Sequence, residues 1–275
     1  MAWVYRVSLS LRVHVSGIIA ASAIYCIASF VGVGAWAGDT GSASGVSARP
    51  AQTYEIWSGA DVSAPGWSVY GGLTAALFGD LRESGWRIRA AGGYGRYRYT
   101  RSYWDADAYK EIDLRFVGYR RSIDTLLGYQ FTFGPTTLKA FAGVTQEQKL
   151  DSAAAGSPIA FDDENGFQGE RFGLKLAVET WTRLGDWGFV QADASWSQPM
   201  DSYAAQFRLG YRMGAGWSTG LEMAAYGNTF PDQGRAGAFL RFEWERGEVS
   251  VSGGAAGDEL RARDAYGTLN VLLRF

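Results

Sequence analysis

Histidine and cysteine are all but missing from this chain. It holds one of each, His14 and Cys26, and both lie within residues 1–37. Arg6 and Arg12 precede an uncharged run over residues 17–38 that closes on Ala35, Trp36 and Ala37. A basic start, an apolar middle and small residues three and one places before a cut predict a secretory signal removed ahead of Gly38. The alternative is an uncleaved span, since the run is long enough to cross a bilayer as a helix. A lipoprotein signal is excluded, because Tyr25 stands before Cys26 where a small residue is needed. With residues 1–37 removed, neither thiol nor imidazole is left. That rules out disulfides, zinc sites of the His/Cys kind and nucleophiles activated by histidine. The expectation is no catalytic residue, no cofactor and no metal.

Proline is also scarce, at 6, whereas glycine reaches 37 and aromatic residues 15%. That balance suits close-packed strands with aromatic belts and does not suit a protein of long helices. Neither sign of charge dominates: 26 Lys and Arg stand against 28 Asp and Glu. With arginine spread along the chain, no nucleic-acid partner is expected. At 275 residues there is room for one large all-β domain.

Residues 38–53 are rich in Gly, Ser and Ala and read as a flexible leader. From residue 54 onward the apolar residues recur with a period of two, the signature of strands with one apolar face. Tyr54, Ile56, Ala60 and Val62 oppose Glu55, Trp57 and Asp61; Trp86, Ile88 and Ala90 oppose Arg87 and Arg89. Phe172, Leu174, Leu176 and Val178 oppose Lys175 and Glu179, and the scheme continues to the end. There Leu269, Val271, Leu273 and Phe275 share a face against Thr268, Asn270 and Arg274, with Leu272 the exception. The Gly92-Gly93 pair is expected to carry a bulge that re-phases its strand.

The connections add a second pattern. Links at 134–136, 183–186, 214–216 and 246–247 are short. Those at 100–122, 149–169, 228–234 and 254–265 are expected to be long loops. Residues 112–119 are taken as part of the first of these or as a strand extension. Short turns on one rim and long loops on the other, with twelve strands, describe a transmembrane antiparallel up-and-down barrel over residues 54–275. A soluble sandwich would show the same alternation. Strand length, the predicted signal and Trp67, Trp86, Trp187, Trp217, Trp244 and Tyr203 near strand ends favour the barrel. The expected location is the outer membrane of a Gram-negative bacterium, with outer-membrane lipid as a partner.

Charges within strands keep to the polar face. Arg87, Arg89, Lys139, Lys175, Glu179, Asp193, Arg208, Arg212, Glu222, Arg241 and Glu243 are therefore candidates to line a lumen. Ion pairing among them is the expected role, ahead of a carboxylate pair for glycoside hydrolysis. Tyr94, Arg96, Tyr97, Arg98, Tyr99, Arg101, Tyr103 and Trp104 form the densest aromatic and basic stretch. They would make a platform for glycan or lipid contact, and the plainer reading is an aromatic girdle followed by a polar loop. The acidic run at 162–165 would hold a cation or simply form a solvated loop tip.

The glycine and aromatic spacing from Gly66-Trp67 to Tyr99 resembles the family of cellulose biosynthesis proteins of the BcsS type. Gly79-Asp80-Leu81, Gly85-Trp86 and Gly92 through Tyr97 carry the resemblance, with Leu127 through Gln130 and Leu138 through Gly143. It implies an outer-membrane accessory role in making or exporting cellulose, with polysaccharide or other secretion components as partners. It brings no catalytic residues. The alternatives are a small-solute channel of the porin kind and a barrel enzyme acting on surface lipid or glycan.

Overall fold

The computed structural model describes residues 51–105, 109–153, 169–227, 233–258 and 261–275. The predicted signal, nearly all of the leader and the acidic run at 162–165 lie outside the described residues. Strands β1 (Tyr54–Ser63), β2 (Gly66–Ala76), β3 (Gly85–Asp105) and β4 (Lys110–Phe133) come first. They are followed by β5 (Thr136–Ala153), β6 (Gly169–Leu184), β7 (Gly188–Ser197) and β8 (Ser202–Gly214). Then come β9 (Trp217–Gly227), β10 (Gln233–Trp244), β11 (Gly247–Asp258) and β12 (Arg261–Arg274). Each strand pairs antiparallel with the next, and β12 returns to β1 from Glu55↔Arg274 to Ser63↔Tyr266, closing a twelve-stranded barrel. At the seam the Thr53 N–H donates to the Phe275 carbonyl at 2.6 Å and the Phe275 N–H donates to the Tyr54 carbonyl at 2.9 Å. Closure leaves no open edge, as a sheet surrounded by hydrocarbon requires.

The period of two sorts side chains to the two faces of this wall. Ile56, Leu73, Ile88, Ile123, Leu127, Leu174, Leu221 and Leu269 point outward and stay exposed. A continuous apolar exterior of this extent belongs in lipid rather than water. Two aromatic rings bound it. On the rim that holds the strand-pair seam, Tyr54 stacks on Phe275, Trp86 meets Tyr129 edge-on, and Trp217, Phe242 and Trp244 pack in sequence. On the far rim Trp67 leans on Tyr94, which stacks on Tyr119.

Leu272, the residue that breaks the alternation of β12, points inward and is buried against Trp57. Inward aromatic rings lie over glycines directly opposite them on the neighbouring strand: Trp57 over Gly72, Phe141 over Gly128, Phe189 over Gly210. A Cβ at Gly128 or Gly210 would fall within the facing ring. Part of the glycine content thus makes room for aromatic residues in the interior.

Three sequence expectations about the connections are corrected. The 100–122 loop is instead a β-hairpin, because the β3–β4 ladder runs unbroken from Gly85↔Gln130 to Asp105↔Lys110. Residues 254–265 likewise belong to β11 and β12 apart from 259–260. No bulge occurs at Gly92-Gly93, where the register with both neighbours is continuous. The register shifts lie at Arg212/Gly214 and Ala256/Gly257. The links expected at 149–169 and 228–234 lie largely outside the described residues, and among the described residues the strands themselves differ in length. β3, β4 and β5 have 21, 24 and 18 residues against 10 in β1 and β7, so one side of the wall rises above the rest.

Candidate functional site

The interior is filled by charged and aromatic side chains, most of the charged ones paired, though single atoms such as Asp193 Oδ1 and Trp181 Nε1 are buried without a hydrogen-bond partner. In the middle, Arg89 of β3 reaches across to Glu179 of β6 with two parallel hydrogen bonds of 2.6 and 3.0 Å. Its guanidinium also lies 3.8 Å over the Phe141 ring. Asp193 of β7 stands beside Glu179 and accepts from Gln191 Nε2 at 2.6 Å. Arg208 pairs with Glu222, which also accepts from Tyr266 Oη at 3.0 Å and Gln206 Nε2 at 2.9 Å. Lys175 meets Asp124 at 2.5 Å, and the Thr145 hydroxyl donates to the same carboxylate at 2.6 Å.

Towards the seam rim, Lys139 pairs with Glu55 at 3.3 Å, and Arg241 with Glu248 at 2.7 Å and Glu243 at 2.9 Å. Towards the far rim, Arg235 is held by Asp61 and lies 4.7 Å from the rings of both Tyr226 and Tyr266. Arg120 pairs with Glu147 at 2.6 Å.

Nine of the eleven charges singled out from the sequence are buried in this interior: Arg87, Arg89, Lys139, Lys175, Glu179, Asp193, Arg208, Glu222 and Arg241. Arg212 and Glu243 are half-buried near the seam rim, Arg212 beside the Trp181 ring at 5.9 Å. Sequence reasoning missed Asp124, Arg120, Glu147, Glu248 and the inward rings of Phe141, Trp181, Phe189 and Phe239. Their inward parity was readable. What was not readable is that the ring of an aromatic residue on the polar face would lie over a glycine across the strand.

Arg87 behaves differently. It is fully buried, yet it donates to backbone carbonyls: Asp80 at 3.0 Å, Glu83 at 2.5 Å and Trp86 at 3.0 Å. Gln130 joins it, donating to the Leu81 carbonyl at 2.7 Å. Together they draw the β2–β3 turn against the barrel with Leu81 buried. The turn is braced from outside too, where Arg82 Nε donates to Asp80 at 2.9 Å and the Leu81 N–H donates to the Gln52 carbonyl at 2.7 Å. Partial burial would raise the Asp80 carboxyl, but hydrogen bonds from the Arg82 side chain and from the backbone N–H groups of Arg82 and Gln52 outweigh it and hold it below its ordinary value.

The aromatic and basic stretch does not form one platform. Strand alternation sends Tyr94, Arg96 and Arg98 outward and buries Tyr97 and Tyr99 inward with Leu114 and Phe116. The Tyr97 and Tyr99 hydroxyls both donate to Asp151, at 2.5 and 2.8 Å. Arg101, Tyr103 and Trp104 lie on β3 opposite Leu114, Ile112 and Glu111, and their side chains are outside the described residues. Among the described residues, no three of His, Cys, Asp and Glu converge as metal ligands would.

The family signature of cellulose biosynthesis protein BcsS matches residues 56–275, the whole described barrel save its first strand residues. The chain belongs to the BcsS family. No curated protein matches it. Among solved structures, a KdgM porin in complex with disordered oligogalacturonate is 10% identical, with a TM-score of 0.47 over 80% of this chain and 99% of that one. The transport unit of the autotransporter AIDA-I from Escherichia coli is 10% identical, with a TM-score of 0.47 over 85% and 93%. An outer membrane channel from Pseudomonas putida F1 is 15% identical, with a TM-score of 0.44 over 83% and 97%. These likenesses are too distant to bring a ligand or an activity to the BcsS-family barrel.

Proposed function

We propose that this BcsS-family protein sits in the outer membrane of a Gram-negative bacterium and assists the synthesis or export of cellulose or a related exopolysaccharide without catalysing a reaction. Family membership over residues 56–275 is the observation that carries the cellulose role. The lipid-suited exterior with two aromatic girdles supports the membrane placement. The interior supports an accessory role over a conducting one. Most of its cations meet carboxylates, across the barrel as in Arg89–Glu179 or on nearby strands as in Lys175–Asp124 and Arg241–Glu248, and the turn latched by Arg87 and Gln130 packs against the seam rim. Partners of the barrel in this reading are outer-membrane lipid and either the polysaccharide or other components of its secretion.

Deletion of the gene tests it. The expected outcome is a fall in cellulose output and surface attachment, restored by the wild-type gene in trans. Unchanged output in the deletion strain would refute the role.

A further inference from the structure

β3 and β4 continue past the ring of Trp67, Tyr94 and Tyr119, and their outward face changes character there. Below it the outward positions are Trp86, Ile88, Ile123 and Leu127; above it stand Arg96 and Arg98 of β3 and Arg115 of β4, with Arg121 level with Tyr94. The acidic Asp113 and Glu111 follow Arg115 further out on the same face. The register sets Tyr94 opposite Arg121, Arg96 opposite Tyr119, Arg98 opposite Val117 and Thr100 opposite Arg115. Arg96 and Arg121 are thus diagonal neighbours on one face, as are Arg98 and Arg115, at a spacing of about 7–8 Å.

These cations are treated unlike those of the interior. Arg89, Arg120, Lys139, Lys175, Arg208, Arg235 and Arg241 each meet a carboxylate. Arg96, Arg98 and Arg115 make no ion pair with any described residue, and Arg121 only approaches Glu170 at 3.9 Å, with both side chains exposed. The Arg96 Nε is itself buried and without a hydrogen-bond partner. Like charges at this spacing repel, so the cluster is favourable when an external anion lies among them.

Height selects the anion. With a rise of about 3.3 Å per residue and a strand tilt of about 40°, Arg96 and Arg98 stand about 5 and 10 Å beyond Tyr94. The polar zone of a leaflet is about 5–8 Å deep. Arg121 and Arg96 therefore stand within that zone, and Arg98, just outside it, can bend its long side chain back into it. Arg115, opposite Thr100 and about 15 Å beyond Tyr94, stands clear of it. The leaflet is the one away from the seam rim, the outer one because the short turns of such barrels are periplasmic, and Tyr94 and Tyr119 mark the edge of the hydrocarbon. A planar guanidinium fork matches phosphate oxygens two at a time. A neutral glucan such as cellulose offers no counter-charge.

We propose that this face binds a phosphorylated glycolipid of the outer leaflet. Arg96, Arg98 and Arg121 hold its phosphates, and the paired rings of Tyr94 and Tyr119 support the sugars and acyl roots. The assignment rests on the outer-membrane placement proposed above and is separate from the cellulose role.

The test uses the purified full barrel in non-ionic detergent, incubated with bisphosphorylated lipid A or with the same lipid stripped of phosphate, and counts lipid retained after gel filtration. Wild type is expected to retain the phosphorylated lipid at least about tenfold better than the R96Q/R98Q/R121Q variant. The stripped lipid should be held equally weakly by both. A heat-dependent gel shift verifies that the triple variant is folded; if it is not, R98Q alone, at an exposed position, is expected to lose about threefold. Equal retention by wild type and variant, or retention indifferent to phosphate, overturns the proposal. Inorganic phosphate bound as tightly as the lipid, or lipid displaced by a cello-oligosaccharide, overturns the glycolipid assignment. Cell fractionation reads the membrane placement independently, so failure of the placement and failure of the site are told apart.

Discussion

Lys175 and Asp124 lie 51 residues apart in sequence and meet inside the barrel with both side chains almost wholly buried. Removing one member of such a pair leaves an uncompensated charge, which typically costs about 3–5 kcal/mol, whereas replacing both with apolar groups is often close to neutral. K175M should therefore destabilise the barrel by about 3–5 kcal/mol in urea unfolding, and K175M/D124L should recover most of the loss. A second residue-scale prediction concerns space rather than charge. A methyl at Gly128 would enter the Phe141 ring and press on the Ala140 carbonyl. G128A should cost about 1–3 kcal/mol, and G128A/F141L should regain part of it by withdrawing the ring, measured in the same urea unfolding. Both predictions separate a packed, ion-paired interior from a water-filled one, in which either change would pass nearly unnoticed.

Among the elements, the β2–β3 turn is the one whose position depends on named side chains. Its carbonyls are gripped from within by Arg87 and Gln130 and its outer side by the Asp80–Arg82 pair. The Asp80 carboxyl is held below its ordinary value in the folded protein. Its contribution is therefore fully present above the ordinary carboxylate range and fades as the pH falls through the lowered value. Hydrogen exchange at the Leu81 amide, corrected for its intrinsic rate, should show protection at neutral pH and loosening in acid. D80N should be loosened already at neutral pH and respond little to acid. The β3–β4 hairpin poses the opposite case. The last six of its 21 residue pairs, Thr100↔Arg115 to Asp105↔Lys110, fall within a stretch expected to be a long loop or in part a strand extension. They form because Tyr97, Tyr99, Leu114 and Phe116 supply a buried aromatic face that continues the sheet beyond the girdle. Truncating Tyr99 and Phe116 together to alanine should expose residues 98–118 to limited proteolysis without unfolding the rest.

At the scale of the molecule, a twelve-stranded wall encloses enough space for a channel, and what fills it decides whether it conducts. Here the filling consists of inward rings and ion pairs, some between nearby strands such as Arg241–Glu248 and some across the barrel such as Arg89–Glu179, rather than one wall of each charge sign. Planar-bilayer recordings of the wild-type barrel are expected to show no long-lived open conductance, and R87M/Q130L, which releases the β2–β3 turn, should increase brief openings. Stable conductance in the wild type would put the porin-like alternative ahead of the accessory role. In detergent gels the unheated protein should run differently from the heat-unfolded form, as a closed hydrogen-bonded wall resists the detergent until heated.

The chain by itself determined the parity of each strand, hence which residues face lipid and which face inward, because a period of two is a local property of extended backbone. It also placed the aromatic end positions, whereas the strand count, expected from the links between segments to be about twelve, was decided by closure of the wall. Tertiary structure alone decided which inward charges meet. Arg89 and Glu179 are brought together only when twelve strands close with one particular stagger, and nothing within either strand encodes that distance. It also decided that Tyr97 and Tyr99 part company with Tyr94, Arg96 and Arg98. Sequence proximity joins these five, and the two sides of a single sheet divide them.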